Sequence, residues 1–259
     1  MTVRTNPKMM IEILCSVLCM FLYLLFRPRR FGTMVLNGMR IEYPNHMDAS
    51  LICAFAPLRE WQTNMTRGLL AQGAIVERIS IRDSYMFGPR IGFMLIDVTM
   101  HMNGVKLPGA VLLRGKSLAV LLWYREWVSG HVFVILVRQA RVATGRMTWE
   151  VPAGMADGSG TLRGQMFTEI QEETGLTLNI NDLVHHQDMS PYTSCGLLDE
   201  ALELYSMQVS PDVMANAARP VLGNTEEGEV ITNVSAVLLS DARTLEDGKL
   251  RILLSAIKM

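Results

Sequence analysis

An excess of charge of either sign is missing from this 259-residue chain: 24 Lys and Arg face 25 Asp and Glu, for a formal net charge of -1. So balanced a chain offers no bulk field for nucleic acid or an acidic surface, and any acidic ligand has to be recognised by a local group. Cysteine is sparse too. Cys15, Cys19, Cys53 and Cys195 show no metal-type spacing, and Cys15 and Cys19 sit one helical turn apart in an apolar run, where they read as small hydrophobes rather than a disulfide frame. That usage fits a reducing compartment. Internal repeats and low-complexity tracts are absent. Long apolar runs are scarce: Ile13–Phe26, "ILCSVLCMFLYLLF", carries no charge, but a membrane helix wants about 20 apolar residues and this run reaches that only by taking in Met9 to Glu12. Arg27, Arg29 and Arg30 follow where a cleaved signal peptide would show small residues. The run reads as a signal anchor, an interfacial segment, or sequence upstream of a start at Met34. It leaves open a membrane contact through residues 9–26, with a lean to a cytosolic C-terminal side.

What is present is a globular composition, 49% hydrophobic and 19% charged, long enough to bury a sizeable core. Beyond Phe31 the patterning is mixed α/β. "RISIRD", "RIGFMLIDVTMHM" and "AVLLRG" read as antiparallel strands of a small β-rich N-terminal subdomain. "SLAVLLWY" (Ser117 to Tyr124) and "VFVILV" (Val132 to Val137) flank a turn at "SGH", and "TWEVP" is a third short strand. From Thr161 to Thr174 apolar Leu162, Met166 and Ile170 recur every four residues, one face of a helix that Gly175 ends. Further strands are expected at Leu202 to Val209 and Val230 to Leu239, and a last helix at Lys249 to Ile257.

The predicted helix concentrates negative charge. Glu169, Glu172 and Glu173 occupy i, i+3 and i+4, spacing that puts them on one face, opposite the Leu162/Met166/Ile170 stripe. Like charges there repel, and at a helix C-terminus they also oppose the macrodipole. A hard divalent cation reverses that sign, since Mg²⁺ takes carboxylate and water oxygens and leaves positions for substrate phosphates. An arbitrary E-x-x-E-E is most often just a solvated acidic face.

The context of these glutamates resembles the signature of the Nudix hydrolases: Gly, five residues, Glu, seven residues, Arg-Glu-apolar-x-Glu-Glu-x-Gly-apolar. Gly154 opens it, and Glu169, Ile170, Glu172, Glu173, Gly175 and Leu176 fall at the required spacing. Gly160 stands where the first Glu belongs and Thr168 where the Arg belongs. "MFGPRIGF", "KLPGAVLLRG", "VRQARVATGRMTWEVPAGM" and "GEVITNVSAVLLSDA" are similar to the branch that hydrolyses ADP-sugars and UDP-sugars. The resemblance implies an α/β/α Nudix sandwich after the β-rich subdomain, with the chain divided as 1–33, 34–115 and 116–259. It implies Mg²⁺, with Mn²⁺ as a possible substitute, held by Glu169, Glu172, Glu173 and the Gly154 backbone. Glu173 and Glu200, in "SCGLLDEALELY", become the catalytic carboxylates, and Gln139, Arg141 and Glu150 the substrate-binding set. A homodimer through the N-terminal subdomain is implied as well, and Arg90 is open to a dimer or a substrate role. His185 and His186 read as surface residues. The implied activity is hydrolysis of a nucleoside diphosphate sugar to a nucleoside monophosphate and a sugar phosphate. The competing reading, carried by Gly160 and Thr168, is a Nudix-like domain that binds such a ligand without turnover.

Overall fold

The computed structural model describes residues 31–156, 160–215 and 230–257, so the apolar run at 9–26 lies outside the described residues. Two sheets are built, each with its own core. The first contains β1 (Phe31–Leu36), β2 (Met39–Pro44), β3 (Ile75–Phe87), β4 (Arg90–Met102), β5 (Val105–Lys106) and β6 (Ala110–Leu113), in the order β1-β2-β3-β4-β5 with β6 also on β4. Asn37 and Gly38 both have positive φ, 48° and 77°, and so make the tight turn that joins β1 to β2 in register. The pairing of β2 with β3 is parallel and needs a crossover. Two helices supply it, α1 (Ala49–Ala54), capped by Asp48, and α2 (Ala56–Arg67). Their Ile52, Phe55, Leu58 and Met65 pack on Ile41, Ile79, Ile81, Met94 and Ile96. Gln62, fully buried, is satisfied by donating to Leu36 O at 2.8 Å and accepting from Asn37 at 3.2 Å, which ties α2 to the β1–β2 turn. These helices were not read from the sequence. β1 also begins at Phe31, so a boundary between 33 and 34 cuts through a strand.

The second sheet contains β7 (Ser117–Arg125), β8 (Val132–Arg141), β9 (Arg146–Glu150), β10 (Ala153–Met155), β11 (Val184–His185), β12 (Leu202–Gln208) and β13 (Ile231–Leu238). Its order is β11-β12-β7-β8-β13, with β10 on β7 and β9 on β8. Strand β7 explains the layering. Residues 117–122 are all buried, as expected of a strand covered on both faces. Alternation sends Leu118, Val120 and Leu122 to one side, against Met166 and Ile170 of α3 (Leu162–Thr174). Ala119 and Leu121 go to the other, against Ala242 of α4 (Leu239–Ala242) and Leu250, Leu253 and Leu254 of α5 (Gly248–Ala256). The result is the helix–sheet–helix sandwich that the resemblance implies. Thr161 caps α3 by accepting from Gly164 N, and Gly175 at φ 68° ends it.

Candidate functional site

The site forms where β10 hands the chain to α3. Gly154 pairs with Leu118 at the start of β7, and α3 lies across that face. Glu169 leans directly onto Gly154: a Cβ built there would overlap the Glu169 carboxylate, so only glycine permits the approach. One turn later Glu173 accepts from Ala153 N at 2.9 Å through Oε2. Two carboxylates from α3 therefore converge on adjacent residues of one short strand.

The expected common face for the three glutamates is corrected by this placement. With roughly 100° per residue, Glu173 falls within about 20° of Met166 around the helix, so it lies along the apolar stripe rather than opposite it. It is 1% exposed, Glu169 is half-buried and Glu172 is exposed. Among the described residues no group of three or more His, Cys, Asp or Glu side chains gathers closely enough to hold a metal ion. The donors at Gly154 are nevertheless carboxylate oxygens beside strand backbone, the type a hard divalent cation takes.

At the missing box positions, Gly160 has φ 71° with open space around it, and the Thr168 hydroxyl turns back to Gly164 O at 3.2 Å. Neither supplies the charge that the box ordinarily carries there.

Glu150 and Arg141 meet as a two-pronged pair, with Nε to Oε1 and Nη2 to Oε2 both at 2.8 Å. Lys249 at the start of α5 adds a contact of 3.1 Å to Oε2, and Thr148 donates to Oε1. Burial alone pushes the Glu150 carboxyl up, but Arg141 and Lys249 outweigh it and hold it at about 2. Gln139 is on the strand of Arg141 and 2% exposed; its Oε1 has no hydrogen-bond partner among the described residues.

Glu200 lies in the loop just before β12. It is buried, not a solvent-facing loop carboxylate: Oε1 receives Arg114 Nη1 at 3.0 Å and the Ser117 hydroxyl, and Oε2 receives Thr193 at 2.6 Å. Burial raises its pKa, and Arg114 with the two hydroxyls more than compensates, leaving it below the ordinary carboxylate value. Beside it Asp199 accepts from Arg114 N and Gly115 N, and Leu112 N donates to Leu197 O, so the 190–201 loop is zipped to the junction between the sheets. As placed, Glu200 anchors that loop. His185 and His186 are corrected as well. His185 stacks on Tyr205 with centroids 4.4 Å apart and contacts Glu203 at 3.0 Å, Glu203 in turn pairing with Lys116 at 2.8 Å; His186 meets Ser206 at 2.9 Å.

A helix whose carboxylates crowd a glycine strand, in a sandwich of this layering, is the arrangement that the Nudix resemblance implies. No family model matches the chain. Its sequence is 32% identical to Nudix hydrolase 14, chloroplastic, of Arabidopsis thaliana, over 73% of this chain and 64% of that protein. It is 27% identical to the putative nudix hydrolase 2 of Caenorhabditis elegans, over 47% and 54% respectively. The chain thus spans less than two thirds of the length of these curated relatives. Among solved structures it is similar to an ADP compounds hydrolase at 17% identity, covering 71% of this chain and 89% of that one with a TM-score of 0.49. It is also similar to the Nudix domain of Shewanella oneidensis NrtR complexed with ADP ribose, at 14% identity over 54% and 84%, with a TM-score of 0.38. In sequence, this chain is similar to these Nudix hydrolases.

Proposed function

We propose that this chain is a divalent-cation-dependent Nudix hydrolase that cleaves the diphosphate of a nucleoside diphosphate sugar, of the ADP-ribose, ADP-glucose or UDP-glucose type. The observation that carries the reading is the convergence of Glu169 and Glu173 on Ala153 and Gly154. Glu169, Glu172, Glu173 and the Gly154 backbone would hold Mg²⁺, or Mn²⁺ in its place. When bound, such a cation neutralises the diphosphate and lowers the pKa of water. The protein's own part is to hold the donors still. Gly154 admits Glu169, the Ala153 amide fixes Glu173, and Glu150, itself contacted by Lys249, holds the Arg141 guanidinium in place. Water adds at one phosphorus, the bridging P–O bond breaks, and the products are a nucleoside monophosphate and a sugar phosphate.

The test is product release from ADP-ribose, ADP-glucose and UDP-glucose with Mg²⁺, comparing the parent with Glu173→Gln. Turnover in the parent and a loss of about 10²-fold or more in the variant are expected, the scale for losing a transition-state electrostatic group. Equal background in both supports the non-hydrolytic binding module that Gly160 and Thr168 favour. The reading extends to a homodimer through the first sheet, where Tyr85, Met86 and Leu95 leave apolar surface exposed.

A further inference from the structure

A cleft of about 590 Å³ opens between α2 of the first subdomain and the 190–201 loop of the second, a volume within the range of sites that take a small molecule. Among the described residues that line it are none of those given to the diphosphate above. Glu200 is not one of them although Asp199 and Ala201 are, because its carboxylate turns to Ser117 and Thr193. Glu60 and Asn64, one helical turn apart on α2, form one wall with Trp61 beside them. Ala110 and Val111 of β6 add apolar surface. Tyr192 and the Cys195 thiol, both exposed, come from the loop.

Charge decides what such a cleft can hold. Among the described residues its charged groups are Glu60, Asp199 and Lys116. The Arg114 and Gly115 amides fix Asp199 at 2.7 and 3.1 Å, yet burial, with Glu60 adding its field, raises the Asp199 pKa. Lys116 stays charged, since Glu203 holds its ammonium at 2.8 Å and raises its pKa. An anion would therefore meet two carboxylates, and a cation would lie beside an ammonium that is already held. A neutral ligand meets neither repulsion. Carboxylates, an amide and an ammonium together accept from and donate to hydroxyl groups, and Trp61 offers a flat apolar surface for the C–H face of a ring. We propose that this cleft binds an uncharged saccharide, its ring against Trp61 and its hydroxyls bonded to Glu60, Asn64 and Asp199, at a site separate from the one that takes the diphosphate.

The experiment uses the full chain without Mg²⁺ and follows alkylation of Cys195 by iodoacetamide, read by mass spectrometry of its peptide, with exposed Cys53 on α1 as the thiol outside the cleft. Glucose, galactose, ribose and maltose are the neutral probes; glucosamine and glucose 6-phosphate carry a charge of either sign on the glucose ring. At least one neutral sugar should slow Cys195 labelling saturably and leave Cys53 unchanged, and the two charged sugars should need about tenfold higher concentration, the scale of a lost hydrogen bond. Glu60→Ala and Asn64→Ala, both at exposed helix positions, should weaken the protection about tenfold with an unchanged melting temperature. Protection by none of the neutral sugars, equal protection by the charged ones, variants that behave like the parent, or displacement of the sugar by pyrophosphate with Mg²⁺ would each overturn the proposal. Neither the cation nor turnover enters the primary measurement, so a failed hydrolase reading leaves this site standing and a failed saccharide site leaves that reading untouched.

Discussion

Gly154 is the residue on which the site turns. Its lack of a Cβ lets the Glu169 carboxylate lie against the strand, so Gly154→Ala should displace Glu169. We expect activity to fall by about 10²-fold with near-UV and far-UV dichroism unchanged; an unaffected rate would mean that Glu169 is not needed where it stands. Glu150 gives a pH signature. Its folded-state carboxyl, held at about 2, is lowered from its ordinary 4.5, so the ion pair contributes stability above the ordinary value and loses it as pH falls from 4.5 towards 2. Lys249→Met removes one of the groups that depress it, and acid unfolding followed by fluorescence should then begin at higher pH than in the parent. Of these residues, the α3 glutamates and Gly154 were legible in the sequence because a spaced signature names them, and Arg141 and Glu150 because the stretch before it resembles the same family. The partners that set their chemistry were not. Lys249 is far along the chain from Glu150, and Arg114 far from Glu200; only folding makes them neighbours, and no local pattern announces such a pair.

At the scale of elements, α3 was readable almost to the residue, since its period, its cap and its terminal glycine all agree. Its rotation was misjudged. Counting charged positions as a face ignored that Glu173 trails Ile170 and Met166 along the buried stripe, and a carboxylate there survives because the Ala153 amide meets it. Thr161→Ala should cost about 1 kcal/mol of stability, the usual penalty for losing an N-cap, measurable as a lower denaturant midpoint with an unchanged slope. The crossover helices α1 and α2 were overlooked although the signals are present: Asp48 as a cap, Pro57 at the start, and Leu58, Gln62 and Met65 on one face. A polar Gln62 inside that stripe disguised the amphipathic pattern, and its burial is explained only by the β1–β2 turn it bonds.

Across the whole molecule, the two sheets are joined through the junction at 112–117. Arg114 sits over the Phe93 ring at 5.4 Å and reaches Glu200 at 3.0 Å, so one side chain touches the core of the first subdomain's surface aromatics and the anchored loop of the second. Arg114→Met leaves Glu200 buried without its cation, and we expect a loss of about 2 kcal/mol, seen as earlier unfolding, together with increased proteolysis within 190–201. The first sheet's exposed Tyr85, Met86 and Leu95 give the proposed dimer its surface, and Tyr85→Glu should shift a dimer to monomer in light scattering. The sandwich itself was expected from the family resemblance alone, and its physical sign is that β7 is apolar at every position from 118 to 122, as suits a strand covered on both faces.

The most direct measurement is phosphorus NMR of ADP-ribose incubated with the full chain and Mg²⁺, before and after chelation. The account predicts that the diphosphate resonances give way to two phosphomonoester signals, that EDTA stops the change, and that Glu173→Gln never starts it. A diphosphate that persists with the parent protein and abundant Mg²⁺, or that is consumed equally by the variant, would contradict it.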